Sequence, residues 1–171
     1  KQVSSASRQS DIVIFSLHSH QKVGEDPKKT PAFLRDVARK VIDAGATVFV
    51  GHGPHVLRGV EVYRGRPIFY SLGNFVFQND LVEKQPSDLF YRVGLGLEDT
   101  VADLYDRREE GTREMKLRGF EWFTKKSDYW VTVLAQLLVD VDGEVKRVRL
   151  YPVELTWRVP RSRRGRPRLA K

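Results

Sequence analysis

The amino-acid sequence predicts an α/β fold: a strand–helix–strand core followed by later β-hairpins. Three observations carry this. Residues 11–17, DIVIFSL, are a nearly continuous apolar run, the mark of a strand covered on both faces. A stripe at helical spacing and a second short apolar run follow between residues 31 and 50. Residues 129–155 then return to strand-like alternation around Asp142-Gly143, a hairpin signal.

Taken in order, residues 1–10 (KQVSSASRQS) are small and polar and read as a disordered lead-in. The first strand ends at His18, with His20 two residues on. Residues 21–29 form a charged loop with Gly24 and Pro27. Thr30 reads as an N-cap with Pro31 at the first helical position. Phe33, Leu34, Val37, Ala38, Val41 and Ile42 make one apolar stripe, and Gly45 takes the C-terminal cap. Residues 47–50 are β-branched and aromatic, a second strand that Gly51 stops. Such a unit makes its two strands parallel, joined by a right-handed crossover.

Residues 60–63 and 67–70 flank Arg-Gly-Arg and predict a hairpin, broken at Ser71-Leu72-Gly73-Asn74 before Phe75-Val76-Phe77. Residues 78–128 are polar and weakly periodic. Leu97, Val101 and Leu104 indicate one short helix, and residues 107–118 are dense in charge; the segment reads as a solvated insertion or a lid. Residues 129–141 place Val131, Val133, Ala135, Leu137 and Val139 on one face. Asp142-Gly143 is then a two-residue turn, and residues 145–155 return with Arg147 and Arg149 toward water and Val148 and Leu150 inward. There is no internal repeat.

Composition narrows the class. A chain of 171 residues, 40% hydrophobic and 30% charged, suits one globular domain. No apolar run approaches a membrane span, and no signal peptide is visible. The chain starts at Lys1 and its only methionine is Met115, so it is expected to be a fragment or a processed product. The absence of a targeting segment then says nothing about compartment. With zero cysteines there are no disulfides and no thiolate ligands. The net charge of +8 is misleading, because six arginines and one lysine in residues 158–171 leave +1 for the rest. That tail reads as disordered. Within it, Arg164-Gly165-Arg166-Pro167 looks like the core of an AT-hook, whose arginines enter the minor groove of A·T tracts; a solvated terminus is the alternative, and DNA is not the favoured partner.

The histidines carry the chemistry. Parallel strands end on one sheet edge, so His18 and His52 should emerge there together, with Cα atoms about 5 Å apart if the strands are neighbours. His55 is three residues beyond His52 and can reach back. Imidazoles converging on a sheet edge point to metal ligation; a histidine-containing turn of no chemical consequence is the alternative. Asn74 either holds a loop or touches a bound ligand. Ser71 lacks the glycines of a nucleophile elbow.

The stretch IVIFSLH…IDAGATVFVGHGPHVLRGVEVYRGRPIFYSLGNFVF resembles the poly-γ-glutamate capsule synthesis (CapA-type) proteins, similar in turn to the calcineurin-like metallophosphoesterases. The resemblance is specific over residues 11–77. The family's GH-x-PH motif maps onto Gly51, His52, Pro54 and His55, its YSLGNF motif onto residues 70–75, and its strand-ending histidine onto His18. It implies part of an α/β/β/α sandwich over residues 11–157, with His18, His52 and His55 as catalytic metal ligands. The implied cofactor is a pair of divalent ions (Mn, Fe or Zn), and the implied substrate a phosphate-type or polymer-type molecule. Capsule-synthesis partners and an extracytoplasmic or membrane-associated location, the latter through upstream sequence, come with the family.

Two departures from the family matter. After His18 the chain runs Ser19, His20, Gln21, where the family has a tryptophan-glycine pair and a nearby glutamate; His20, Glu25 and Asp26 are the substitutes at hand. The bridging aspartate and the asparagine-histidine pair of metallophosphoesterases have no counterpart in the chain. Two divalent ions need anionic ligands between them, which neutral imidazoles cannot supply. The expectation is therefore half a metal site, completed upstream of Lys1. The alternative is a binding or assembly module with a degenerate, non-catalytic site.

Overall fold

The computed structural model of the chain describes residues 1–110 and 127–170. Its centre is a four-stranded sheet built from β1 (Ile14–His18), β2 (Val48–His52), β3 (Val60–Tyr63) and β4 (Arg66–Phe69). The spatial order is β1-β2-β4-β3. β1 and β2 are parallel, joined by the helix α2 (Ala32–Asp43). The second strand of the predicted hairpin, β4, pairs antiparallel with β3 and also parallel with β2, so the sheet is mixed.

α2 buries Leu34, Ala38, Val41 and Ile42 against Phe49, Ile68 and Tyr70. Phe33, placed on the same stripe by its spacing, is 45% exposed. The helix begins one residue later than expected. Pro31 is its N-cap, and the Pro31 carbonyl accepts from the Leu34 and Arg35 N–H groups, while Thr30 makes no side-chain cap. Tyr70 donates to Glu61 at 2.6 Å and Arg39 pairs with the same carboxylate at 2.8 Å, tying α2 to the hairpin.

Two expectations about the N-terminal part are corrected. Residues 1–10 are not a frayed lead-in throughout: Gln2–Ser7 form helix α1, whose Val3 packs on the core. β1 is not covered on both faces. It is an edge strand, with Phe15 and Leu17 packed on the core, Ile14 65% exposed and Ser16 exposed. An apolar run signals hydrophobicity, not the number of layers that meet it.

A second, antiparallel sheet follows, β5 (Val131–Val139), β6 (Val145–Leu155) and β7 (Pro167–Leu169), in that order. Val133, Ala135, Leu137 and Val139 are half-buried as the alternation requires, whereas Val131 is 40% and Leu150 44% exposed. The turn at Asp142-Gly143 is longer than two residues. Asp140 and Glu144 close it, with the Asp140 carboxylate accepting from the Asp142 and Glu144 N–H groups. Thr132 donates its hydroxyl to the Leu72 carbonyl, and Arg66 reaches Glu144 at 3.4 Å, joining the two sheets.

In chain order, α3 (Ser87–Arg92) and α4 (Val101–Glu110) come between the strands of the two sheets. The expected helix is α4, entered through a reciprocal Thr100–Asp103 cap, but Leu97 stands outside it at 82% exposed. Val93, Leu95 and Leu104 make a small core of their own with Leu89 and Phe90, so this part is more than a solvated insertion. The remainder of the charge-dense stretch, residues 111–118, lies outside the described residues, as do the rest of 111–126.

The basic tail is the largest correction. It is docked rather than disordered. Arg164 pairs with Asp80 at 3.2 Å and Glu109 at 3.1 Å, its side chain only 13% exposed. Arg161 holds Asp106 and Glu109, and β7 pairs with β6. Gly165 (φ +77°) lies so close under the Phe77 carbonyl that any Cβ would collide with it, and Phe77 N–H donates to the Gly165 carbonyl. The acids that hold Arg161 and Arg164 lie in the weakly periodic segment, at Asp80, Asp106 and Glu109, far from the tail in sequence.

Candidate metal centre

All four histidines of the chain meet at the C-terminal end of the parallel strands. β1 and β2 pair in register from Ile14↔Val48 to His18↔His52, so the two histidines sit opposite each other at the last position of each strand. Their Nδ1 atoms are 2.9 Å apart. His18 turns its other nitrogen, Nε2, to His20 Nε2 at 2.9 Å. Beyond His20 the ring of His55 follows, centroid to centroid 5.6 Å. His55 thus joins through His20 and not directly, a difference from the expectation that it would reach back to His52.

Backbone conformation brings the two loops together. Ser19 N–H donates to the His52 carbonyl at 2.8 Å. Gly53 (φ +120°) packs its Cα against Ser19, where a Cβ would meet the Ser19 carbonyl oxygen at 2.7 Å, so only glycine lets the loops close this far. His55 itself has φ +61°, which turns its side chain back over the cluster.

Two of the rings, His55 and His52, are held by neighbours outside the cluster. Asn74 Nδ2 donates to the His55 and Tyr129 carbonyls, at 3.2 and 3.1 Å. This orients the amide with Oδ1 toward His55 Nδ1 at 2.8 Å, so that nitrogen must carry the proton and donate. The His55 Nε2 lone pair is then free to ligate. Asn74 is therefore both a loop holder and a positioner of His55. Phe77 and Tyr129 flank the His55 ring at 6.2 and 6.5 Å. On the other side, Ser16 Oγ lies 2.8 Å from His52 Nε2. Ser16 did not figure among the predicted site residues, although its signal was present: it precedes His18 by two and so shares its strand face.

Burial, and then the nearby charge of His18, lowers the pKa of His52; burial, then His18 and His55, does the same for His20. Both shifts favour neutral imidazole, the form that binds metal. The acidic candidates are elsewhere. Glu25 pairs with Lys22 at 2.6 Å, and Asp26 caps the Lys28 N–H. Among the described residues no group of three His, Asp or Glu side chains is arranged to hold an ion. The contacts run in series from Ser16 to Asn74, and His18 spends its two nitrogens on different neighbours. Of the AT-hook arginines, Arg164 is committed to Asp80 and Glu109, and Arg166 donates to the Ser162 carbonyl.

Comparison with known proteins reaches the same stretch. Residues 1–79 match the family described as bacterial capsule synthesis protein PGA_cap. The PGA biosynthesis protein CapA of Bacillus subtilis is 35% identical over 153 residues, 84% of this chain and 40% of that protein. The chain belongs to the CapA-type capsule synthesis family. An uncharacterized protein of Sinorhizobium fredii, y4sH, is 37% identical over 173 residues, 94% of this chain and 34% of its own length. The capsule biosynthesis protein CapA of Bacillus anthracis is 39% identical over 79 residues, 46% of this chain and 18% of that protein. The chain thus spans well under half the length of these relatives. The family match ends at residue 79, just past Asn74, so the region it covers contains every histidine of the cluster.

Proposed function

We propose that this chain supplies the imidazole side of a divalent-metal site in a CapA-type protein, and that the complete site works as a metallophosphoesterase-like hydrolase. The observation that carries the reading is the in-register pair His18↔His52, whose Nδ1 atoms face each other at the sheet edge. Open α/β sheets hold their ligands at this edge.

The donor chemistry fits one side of such a site. Imidazole nitrogen suits Mn, Fe and Zn, and the lowered pKa values of His52 and His20 keep two rings ready to ligate. In this reading His18, His52 and His55 hold the metal, while Asn74 and the Gly53–Ser19 contact keep them in place. Carboxylates from sequence outside this chain complete a two-ion site. When bound, the metal polarises a phosphoryl or acyl oxygen and acidifies a water. Substrate of the phosphate or polymer type, capsule-synthesis partners, and an extracytoplasmic or membrane-associated setting belong to the same proposal. Among the described residues no helix is long and apolar enough to cross a membrane.

A second reading is a binding or assembly module that never turns over. That no carboxylate among the described residues joins the cluster favours it. Calorimetric titration of zinc or manganese into the chain and its His18→Ala, His52→Ala and His55→Ala variants tests the metal site. Weak binding that each single substitution largely removes supports it; equal affinity in wild type and His52→Ala refutes it. Phosphodiester hydrolysis that appears only in the full-length protein separates the enzyme from the module.

A further inference from the structure

We propose that the C-terminal strap, residues 156–166, positions His55: its docking sets the two aromatic walls between which that imidazole is held. The inference takes from the reading above only that His55 belongs to the site. It rests on packing within this chain and needs no bound ion.

The strap is a closed loop. Gly165 N–H donates to the Thr156 carbonyl at 2.6 Å, and Thr156 N–H to the Arg166 carbonyl at 3.0 Å. The Thr156 hydroxyl donates to the Arg163 carbonyl at 2.7 Å. Arg161 and Arg164 anchor the loop on Asp106, Glu109 and Asp80. From it two routes lead to His55. On the first, Gly165 lies against the Phe77 carbonyl and accepts from Phe77 N–H at 2.9 Å, so the strap fixes the backbone of residue 77. The Phe77 ring stands 6.2 Å from that of His55. On the second, Trp157 stacks on Trp130 at 6.2 Å, with 19° between the ring planes. Trp130 is buried and directly follows Tyr129, whose ring stacks on His55 at 6.5 Å. The Tyr129 carbonyl also holds Asn74 Nδ2, and Asn74 Oδ1 accepts from His55 Nδ1. The routes are joined, since the Phe77 ring meets Trp130 edge-on at 5.4 Å. Close-packed side chains transmit displacement rather than absorb it. His55 also sits at φ +61°, a conformation that persists in a residue other than glycine where its surroundings impose it. His18 and His52 are placed by strand register instead, so the strap acts on one end of the cluster.

The test uses the whole chain with Gly165→Ala, Trp157→Leu and Trp157→Phe, read by proton and nitrogen-15 NMR of the histidine rings without added metal. A Cβ at position 165 collides with the Phe77 carbonyl and breaks the first route. Leucine at 157 removes the stack on Trp130 and breaks the second, whereas phenylalanine keeps a ring there. The His55 ring signals should shift in Gly165→Ala and Trp157→Leu and return toward wild type in Trp157→Phe. Those of His18 and His52 should keep their wild-type positions throughout. His55 signals unchanged in Trp157→Leu overturn the proposal. So do four rings that move alike, which would make the strap a stabiliser of the whole fold. Where Gly165→Ala loses its fold by circular dichroism, the Trp157 pair decides alone. Zinc calorimetry on wild type separates the two levels. If wild type binds zinc and His55 ignores the strap, only this proposal falls. If His55 follows the strap and wild type binds no zinc, only the metal reading falls.

Discussion

Replacing Arg164 with methionine should destabilise the whole fold, although the residue lies in a tail that composition marks as disordered. The guanidinium is 13% exposed and sits between Asp80, also 13% exposed, and Glu109 at 41%. Breaking a buried pair from one side costs about 3–5 kcal/mol, because the remaining charge stays desolvated. Two features reduce that figure here. Glu109 keeps Arg161 at 2.8 Å, and Arg164 Nε is buried without a hydrogen-bond partner among the described residues, so its removal returns about 1 kcal/mol. The expected loss is about 2–3 kcal/mol, which for a chain of this size lowers Tm by roughly 4–10 °C. Thermal unfolding of the full chain by circular dichroism measures it. The exposed pair Arg92–Asp88, 72% and 58% exposed, is the control, and Arg92→Ala should cost no more than about 0.5 kcal/mol. Coupling provides the sharper check. In an Asp80→Asn background the Arg164→Met loss should shrink by about 1 kcal/mol or more. A loss below about 0.5 kcal/mol for Arg164→Met, with no coupling to Asp80, would refute the docked tail.

Three further outcomes follow from single contacts. Gly45→Val should destabilise by about 1–3 kcal/mol, since Gly45 has φ +105° and a Cβ there would meet Ser7 Oγ at 2.7 Å; chemical denaturation that shows no loss would mean that α1 does not pack under the helix end. Asn74→Ala should free the His55 ring and weaken zinc binding about tenfold, with unchanged affinity in calorimetry counting against its role. The tail should also loosen in acid. Burial pushes the Glu109 carboxyl up, but hydrogen bonds and charge from Arg161 and Arg164 outweigh it and hold it below the usual 4.5. A depressed carboxyl contributes stability that is complete above its unfolded value and lost as pH falls through the folded one. Trp157, stacked on Trp130 at 6.2 Å, should report the loosening by fluorescence below about pH 4.5, and Glu109→Gln should flatten that change.

The edge where the four histidines gather was legible because it follows from two local facts. An apolar run, a helical stripe and a second run dictate parallel strands, and a histidine closes each strand at the same register. The contact of Ser16 with His52 was legible in principle, since period two puts Ser16 on the strand face of His18. What failed depends on partners far away in sequence. Whether β1 is covered on one face or two is a property of neighbouring layers, and Ile12 and Ile14 look the same either way. Arg161 and Arg164 read as solvated charge because Asp80, Asp106 and Glu109 stand 52 to 84 residues upstream. His55 was expected at His52, but its positive φ and its bond to Asn74 set it beyond His20. Pro31 shows the smaller error of a helix boundary, one residue off.

Nitrogen-15 NMR of the four histidine rings during a zinc titration tests the central claim most directly. The account predicts that His18, His52 and His55 shift together with one midpoint, His55 through Nε2. Rings that shift independently, or His52 and His55 unmoved at saturating zinc, would contradict a shared metal site.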